Sequence, residues 1–144
     1  MTIKIHEAAE LHEETLSFLQ RERHKLLIGG EWVEAQSGET FEVYDPATGE
    51  VVGYAAAAGE PDVDAAVAAA REAFAPGSPW RSMTPQQRGE LLWKVADLVE
   101  MHARELAELD TIDNGKPYRN SYYGDLPQVI AHFRYYAGWT TKIE

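Results

Sequence analysis

Cysteine is absent from all 144 residues. That excludes disulfides, thiolate metal sites and a cysteine nucleophile within the chain, and it says little about compartment. Long apolar runs are also missing. None approaches the roughly 18 residues that read as a bilayer-spanning helix, so no membrane span is expected. Basic side chains are scarce, 13 against 24 acidic ones, for a net charge of −11. With no Lys/Arg cluster to offset it, that charge disfavours nucleic acid and anionic membranes by long-range repulsion. The start of the chain has no apolar signal region, and Glu7, Glu10, Glu13 and Glu14 argue against a transit peptide; a cytoplasmic protein is expected. No G-x-G-x-x-G run stands between a strand and a helix, so the dinucleotide fingerprint is lacking. Gly29-Gly30 is therefore no phosphate cradle. Asn114-Gly115-Lys116 has neither the upstream glycine nor the following Ser/Thr of a P-loop.

What is present reads as one domain's length of α+β structure. Ile5, Ala8, Ala9, His12, Leu16 and Leu19 recur at helical spacing and predict an amphipathic helix from His6 to about His24. Leu26 to Ile28 and Trp32-Val33 flank Gly29-Gly30, a two-residue hairpin signal. Thr40 to Tyr44 and Glu50 to Ala55 form a second pair around the turn Asp45-Pro46-Ala47-Thr48-Gly49. Together they predict a β meander.

From Pro61 the period becomes helical. Pro61 suits a first helical position, and Asp62 and Asp64 suit the positive end of the macrodipole. Val63, Ala66, Val67, Ala70 and Phe74 make the apolar stripe of a helix that Pro76 to Pro79 ends. Thr84 with Gln87 reads as a capping box opening one long helix to Asp113, striped by Leu91, Leu92, Val95, Leu98, Val99, His102, Leu106 and Leu109. These two helices are expected to pack antiparallel on their stripes. Asn114-Gly115 and Pro117 stop the second one. Leu126, Val129, Ile130, Phe133 and Ala137 predict a further helix ending near Gly138, with one of Tyr135 and Tyr136 on its buried side; Thr140 to Ile143 have strand composition.

The five histidines give no metal site by spacing. His6 and His12 stand about 240° apart around a helix, and His102 and His132 read as packed within helical stripes. No nucleophile, base and oxyanion donor come together, so no catalytic residue is assigned.

Five features in order carry a family resemblance. They are Asp45-Pro46-Ala47-Thr48-Gly49-Glu50; Asp62-Val63-Asp64 with Ala66-Val67 and Ala69-Ala70; Trp80-Arg81 ahead of Arg88 and Leu91-Leu92; Asp113-Asn114-Gly115-Lys116-Pro117-Tyr118; and Arg134-Tyr135-Tyr136-Ala137-Gly138-Trp139. From Leu26 to Glu144 the chain resembles the N-terminal segment of NAD(P)-dependent aldehyde dehydrogenases. The resemblance implies an α/β fold with a Rossmann-like cofactor domain, a catalytic domain bearing a nucleophilic cysteine, and an oligomerisation arm. On that reading residues 1–25 are a helical extension and 26–144 an incomplete aldehyde dehydrogenase domain whose Rossmann-like core lies outside this chain.

The full-length family member would use NAD or NADP and act on an aldehyde, as a homo-oligomer. This chain alone is expected to bind no cofactor and to act as a scaffold, with the rest of the enzyme chain as its partner. No cofactor-binding residue carries over. Gly124 and Gln128 map to the mouth of the substrate tunnel, where Gln128 replaces a usually apolar residue. Asp113, with the carbonyls of Val43 and Tyr44, maps to a monovalent-cation site; a plain helix-terminal aspartate is the other reading of Asp113. Residues Ala137 to Ile143 look most like bacterial members acting on phenylacetaldehyde-type aldehydes. The competing function is a free-standing assembly or regulatory module that has kept the packing surface and lost catalysis.

Overall fold

The computed structural model describes residues 11–21 and 23–143. They fall into two compact units, divided between Arg81 and Ser82.

The first unit holds helices α1 (Glu13–Leu19) and α2 (Glu60–Ala73) with strands β1 (Arg23–His24), β2 (Leu26–Ile28), β3 (Glu31–Val33), β4 (Thr40–Tyr44) and β5 (Val51–Ala56). Both expected hairpins form. β2 and β3 pair antiparallel around Gly29 and Gly30, at φ 62° and 88°. Two successive residues at positive φ give the turn whose twist matches the flanking strands. β4 and β5 pair antiparallel around Asp45, a buried side chain that accepts from the Ala47 amide at 2.8 Å and the Thr48 hydroxyl at 3.1 Å. That Asx turn satisfies backbone the tight loop would otherwise strand.

The strands build two sheets, with β5 central in the order β1-β5-β4 and β2-β3 apart. β1 runs parallel to β5 and pairs His24 with Ala55. The opening helix is therefore shorter than its periodicity suggests. It ends at Leu19, and residues 23–24 are extended, because strand pairing to β5 competes successfully with a marginal helix end. The portion expected before residue 11 lies outside the described residues.

α2 begins one residue earlier than Pro61 and is fastened by Asp62. One carboxylate oxygen accepts from the Gly59 amide at 2.8 Å, the other from the Gln36 amide at 2.9 Å. The expected stripe is not its buried side. Val63, Val67 and Phe74 are exposed, while Ala69 faces the Gly29 turn closely enough that a Cβ on Gly29 would meet it at 3.7 Å.

α3 (Pro79–Ser82) spans the boundary between the units. The second unit continues with α4 (Pro85–Met101), α5 (Ala103–Asn114), α6 (Tyr118–Asn120), a π-helical turn (Ser121–Asp125) and α7 (Leu126–Ala137). The capping box at α4 is present in both directions, Gln87 backbone amide to Thr84 hydroxyl at 3.2 Å and Thr84 backbone amide to Gln87 Oε1 at 2.8 Å. The long helix expected from Pro85 to Asp113 is broken at His102, whose φ −98° and ψ 17° leave the α-helical region. Its Nδ1 lies 3.1 Å from the Glu105 carboxylate, a side-chain contact within the first turn of α5 that leaves the helix's backbone amides uncapped.

Within this unit the antiparallel partner of α4 is α7. Gly89 lies against Ala137 and Thr140 at one end, and Asp97 and Glu100 meet Arg134 further along. Its buried residues are mostly small: Gly89, Ala96, Ala107, Ser121 and Ala137 line the interior, with Leu126 the one large apolar side chain in that class among the described residues of the unit. Leu98 is 54% exposed, and Tyr135 and Tyr136 both lie outside, edge to face with centroids 5.2 Å apart. Neither tyrosine takes the buried side foreseen for one of them. Residues 138–142 form turns, not a strand, because Lys142 and Thr140 fold back to cap the α7 carbonyls of Gly138 and Ala137.

Candidate functional site

α5 stops where the sequence says it should. Gly115 takes φ 76° and its amide donates to the Thr111 carbonyl at 3.0 Å, closing the helix with a left-handed cap. Asn114 then accepts from the Lys116 amide at 3.1 Å, and its side-chain amide donates to Asp110. Lys116 turns back to pair with Asp125 at the end of the π turn, which raises the lysine above its ordinary value through that hydrogen bond. The motif Asp113 to Tyr118 is thus a turn tied to α5 through Asn114 and to the π turn through Lys116.

Beyond it, Tyr118 and Tyr122 stack at 5.3 Å and Tyr123 meets Tyr122 edge-on at 4.9 Å. Desolvation is the main cause holding the Tyr118 phenol above its usual value. A π turn inserts one extra residue per turn and re-aims the side chains around it; such turns are frequent at functional sites. Nothing in the composition of residues 121–125 announced it.

Gly124 and Gln128 sit one helical step apart on this run. Gly124 lies in the π turn, half-buried, and an added Cβ would meet nothing within 4 Å. Gln128 is exposed in the first turn of α7, and its backbone carbonyl accepts from His132 Nδ1 at 2.6 Å. His132 is accordingly an exposed residue bonded to its own helix, not one packed within a stripe.

The residues mapped to a cation are on different units. Val43 and Tyr44 end β4, at a shift in register with β5, and the exposed Tyr44 hydroxyl donates to Glu42, which holds the phenol above its usual value. Asp113 is exposed near the end of α5 in the second unit.

Three contacts of Arg134 went unread in the sequence. Arg134 Nη2 donates to Asp97 at 2.9 Å and to Glu100 at 2.5 Å, and its guanidinium lies 5.4 Å from the Trp93 ring centroid. These hydrogen bonds raise its pKa, and they cross-link α7 to α4. Gly89, inside an otherwise strong helix former, is the signal that could have shown the close approach of those helices.

At the β5–α2 connection the Asp62 carboxylate already occupies the Gly59 amide, and an anion there repels a phosphate. No described helix is long and apolar enough to cross a membrane.

The aldehyde dehydrogenase family profile matches residues 32–144. DhaS of Bacillus subtilis (strain 168) is 51% identical over 127 residues, covering 88% of this chain and 25% of that protein. Retinal dehydrogenase 2 of Homo sapiens is 50% identical over 119 residues, covering 83% of this chain and 23% of its own length. The solved NAD+ complex of aldehyde dehydrogenase from Bacillus cereus superimposes with a TM-score of 0.90 at 48% identity, over 94% of this chain and 27% of that one. The chain spans about a quarter of the length of the curated relatives it matches. With the ordered motifs, the matched profile and the shared fold in agreement, this chain belongs to the aldehyde dehydrogenase family.

Proposed function

We propose that these residues are the N-terminal portion of an enzyme that oxidises aldehydes to carboxylic acids with NAD(P), and that within it they serve as scaffold. The observation that carries this reading is the inversion of the core. Alanine, glycine and serine fill much of the interior, while Leu27, Trp32, Phe74, Leu98, Met101 and Trp139 are exposed. So many large apolar side chains facing water favour association with further protein surface. Relatives about four times as long supply the candidate for that surface: the remainder of the enzyme chain.

The scaffold role follows from chemistry. A chain without cysteine has no thiolate to form a hemithioacetal with an aldehyde, and its strand-to-helix turn is closed to phosphate by Asp62. NAD as the cofactor of the longer protein is supported by the relative solved as an NAD+ complex. Gly124 and Gln128 are proposed to line the substrate path there; the open space beside Gly124 and the exposure of Gln128 are compatible with a mouth.

The test compares this chain with the same chain extended through the family's remaining domains. The extended protein should produce NADH from an aldehyde and melt higher with NAD, by linkage. The chain alone should do neither, and should bind an apolar dye that the extended protein does not. Turnover by the chain alone would overturn the scaffold reading. An extended protein that leaves dye binding unchanged would favour the free-standing module. In the extended protein Gln128→Met should change the kcat/KM ratio between aromatic and aliphatic aldehydes by a factor corresponding to about 1–3 kcal/mol. Identical ratios would remove Gln128 from the substrate path.

A further inference from the structure

Asn114-Gly115 is a chemically vulnerable pair, since glycine offers no side chain to shield its amide nitrogen from the preceding side-chain carbonyl. The reaction needs the Gly115 nitrogen to attack Asn114 Cγ. The bond from Cγ to Nδ2 breaks, ammonia leaves with the proton that the Gly115 nitrogen gives up, and a five-membered imide forms. Solvent water then opens the ring to aspartate or isoaspartate.

Three contacts oppose that attack here. The Gly115 amide is the cap donor to the Thr111 carbonyl at 3.0 Å, so the nucleophile is engaged and disfavoured from losing its proton. Asn114 Oδ1 accepts from the Lys116 amide at 3.1 Å, and Nδ2 donates to Asp110, so the electrophile is held from both sides. All of these contacts belong to the last turn of α5 and the residues just after it. Helix ends open locally at far lower free energy than the core.

We propose that Asn114 is a latent deamidation site, kept closed by the α5 cap and exposed to reaction only when that last turn frays. The product would not restore the cap. A carboxylate at 114 donates nothing to Asp110, and it adds negative charge beside Asp110 and Asp113 at the negative end of the helix dipole. One chemical event would therefore weaken the stop that positions Lys116 and the π turn beyond it.

The experiment follows the mass increase of the proteolytic peptide 105–119 during incubation of the folded chain at neutral pH and 37 °C. The isolated synthetic peptide 105–119 gives the unprotected rate. Deamidation in the chain should be at least about tenfold slower, the factor for a local opening of about 1.4 kcal/mol. Asp110→Ala removes one side of the latch and should accelerate the reaction by about 2- to 10-fold, the range for one net hydrogen bond. Circular dichroism must show that this variant keeps its helices, and exchange of the Gly115 amide should accelerate in parallel. Equal rates in folded chain and peptide would overturn the proposal. So would an Asp110→Ala variant whose Gly115 amide exchanges faster while Asn114 reacts no faster.

Discussion

Placing alanine at Gly89 sets two elementary effects against each other. In an ordinary helix interior the exchange stabilises by about 0.8–1 kcal/mol, since alanine orders more cheaply than glycine. At Gly89 the new Cβ would stand 2.7 Å from Thr140 Oγ1 and 2.8 Å from the Ala137 carbonyl oxygen. The hydroxyl can rotate away. The carbonyl cannot, because it ends α7 and accepts from Thr140 at 2.9 Å. Relief requires α4 and α7 to separate, an overpacking cost of about 1–3 kcal/mol. The expected net is a loss of about 0–2 kcal/mol where propensity alone forecasts a gain. Urea unfolding followed by far-UV circular dichroism reads it directly, with Glu90→Ala as the solvent-facing control. Thr140→Gly in the Gly89→Ala background should recover only part of the loss, since the carbonyl remains. If Gly89→Ala raises stability by the full propensity gain, the two helices do not meet at this glycine.

Asp62→Ala strips the acceptor from the Gly59 and Gln36 amides and should cost about 1–3 kcal/mol, with Asp62→Asn intermediate; equal midpoints in urea for all three chains would make the bonds incidental. His24 stacks on Phe18 at 4.5 Å, and its pKa is lowered first by burial and then by the Arg21 charge. The fold therefore favours neutral imidazole: that contribution is full above the unfolded value of about 6.5 and is lost as pH falls through the lower folded value. An NMR titration placing His24 at or above the unfolded value would contradict this, and His24→Phe should flatten the acid side of the stability profile. Leu98→Ala should change the stability of this chain by no more than about 0.5 kcal/mol, because Leu98 already faces water; a loss typical of a core leucine would put it inside.

Local chemistry was legible in the sequence wherever a short stretch decides its own conformation. Gly29-Gly30 could turn only at positive φ, Thr84 and Gln87 satisfied each other's amides, and Gly115 ended α5, all within a few residues of chain. The same holds for the family, since its motifs lie in order along the chain, and for the missing thiolate, which is a matter of composition. Tertiary structure decided what periodicity cannot. A stripe of Val63, Val67 and Phe74 says that one face of α2 is apolar, not that a partner covers it, and here that face is exposed. His24 continued a helical pattern but became a strand, because pairing with Ala55 depends on a residue 31 positions away. Nor does periodicity place the break at His102 or the π turn at Ser121–Asp125. Alignment of Arg134 with Asp97 and Glu100 likewise exists only once α7 lies antiparallel on α4. Short-range hydrogen bonding is written residue by residue; which apolar faces meet is settled by geometry that only the folded chain supplies.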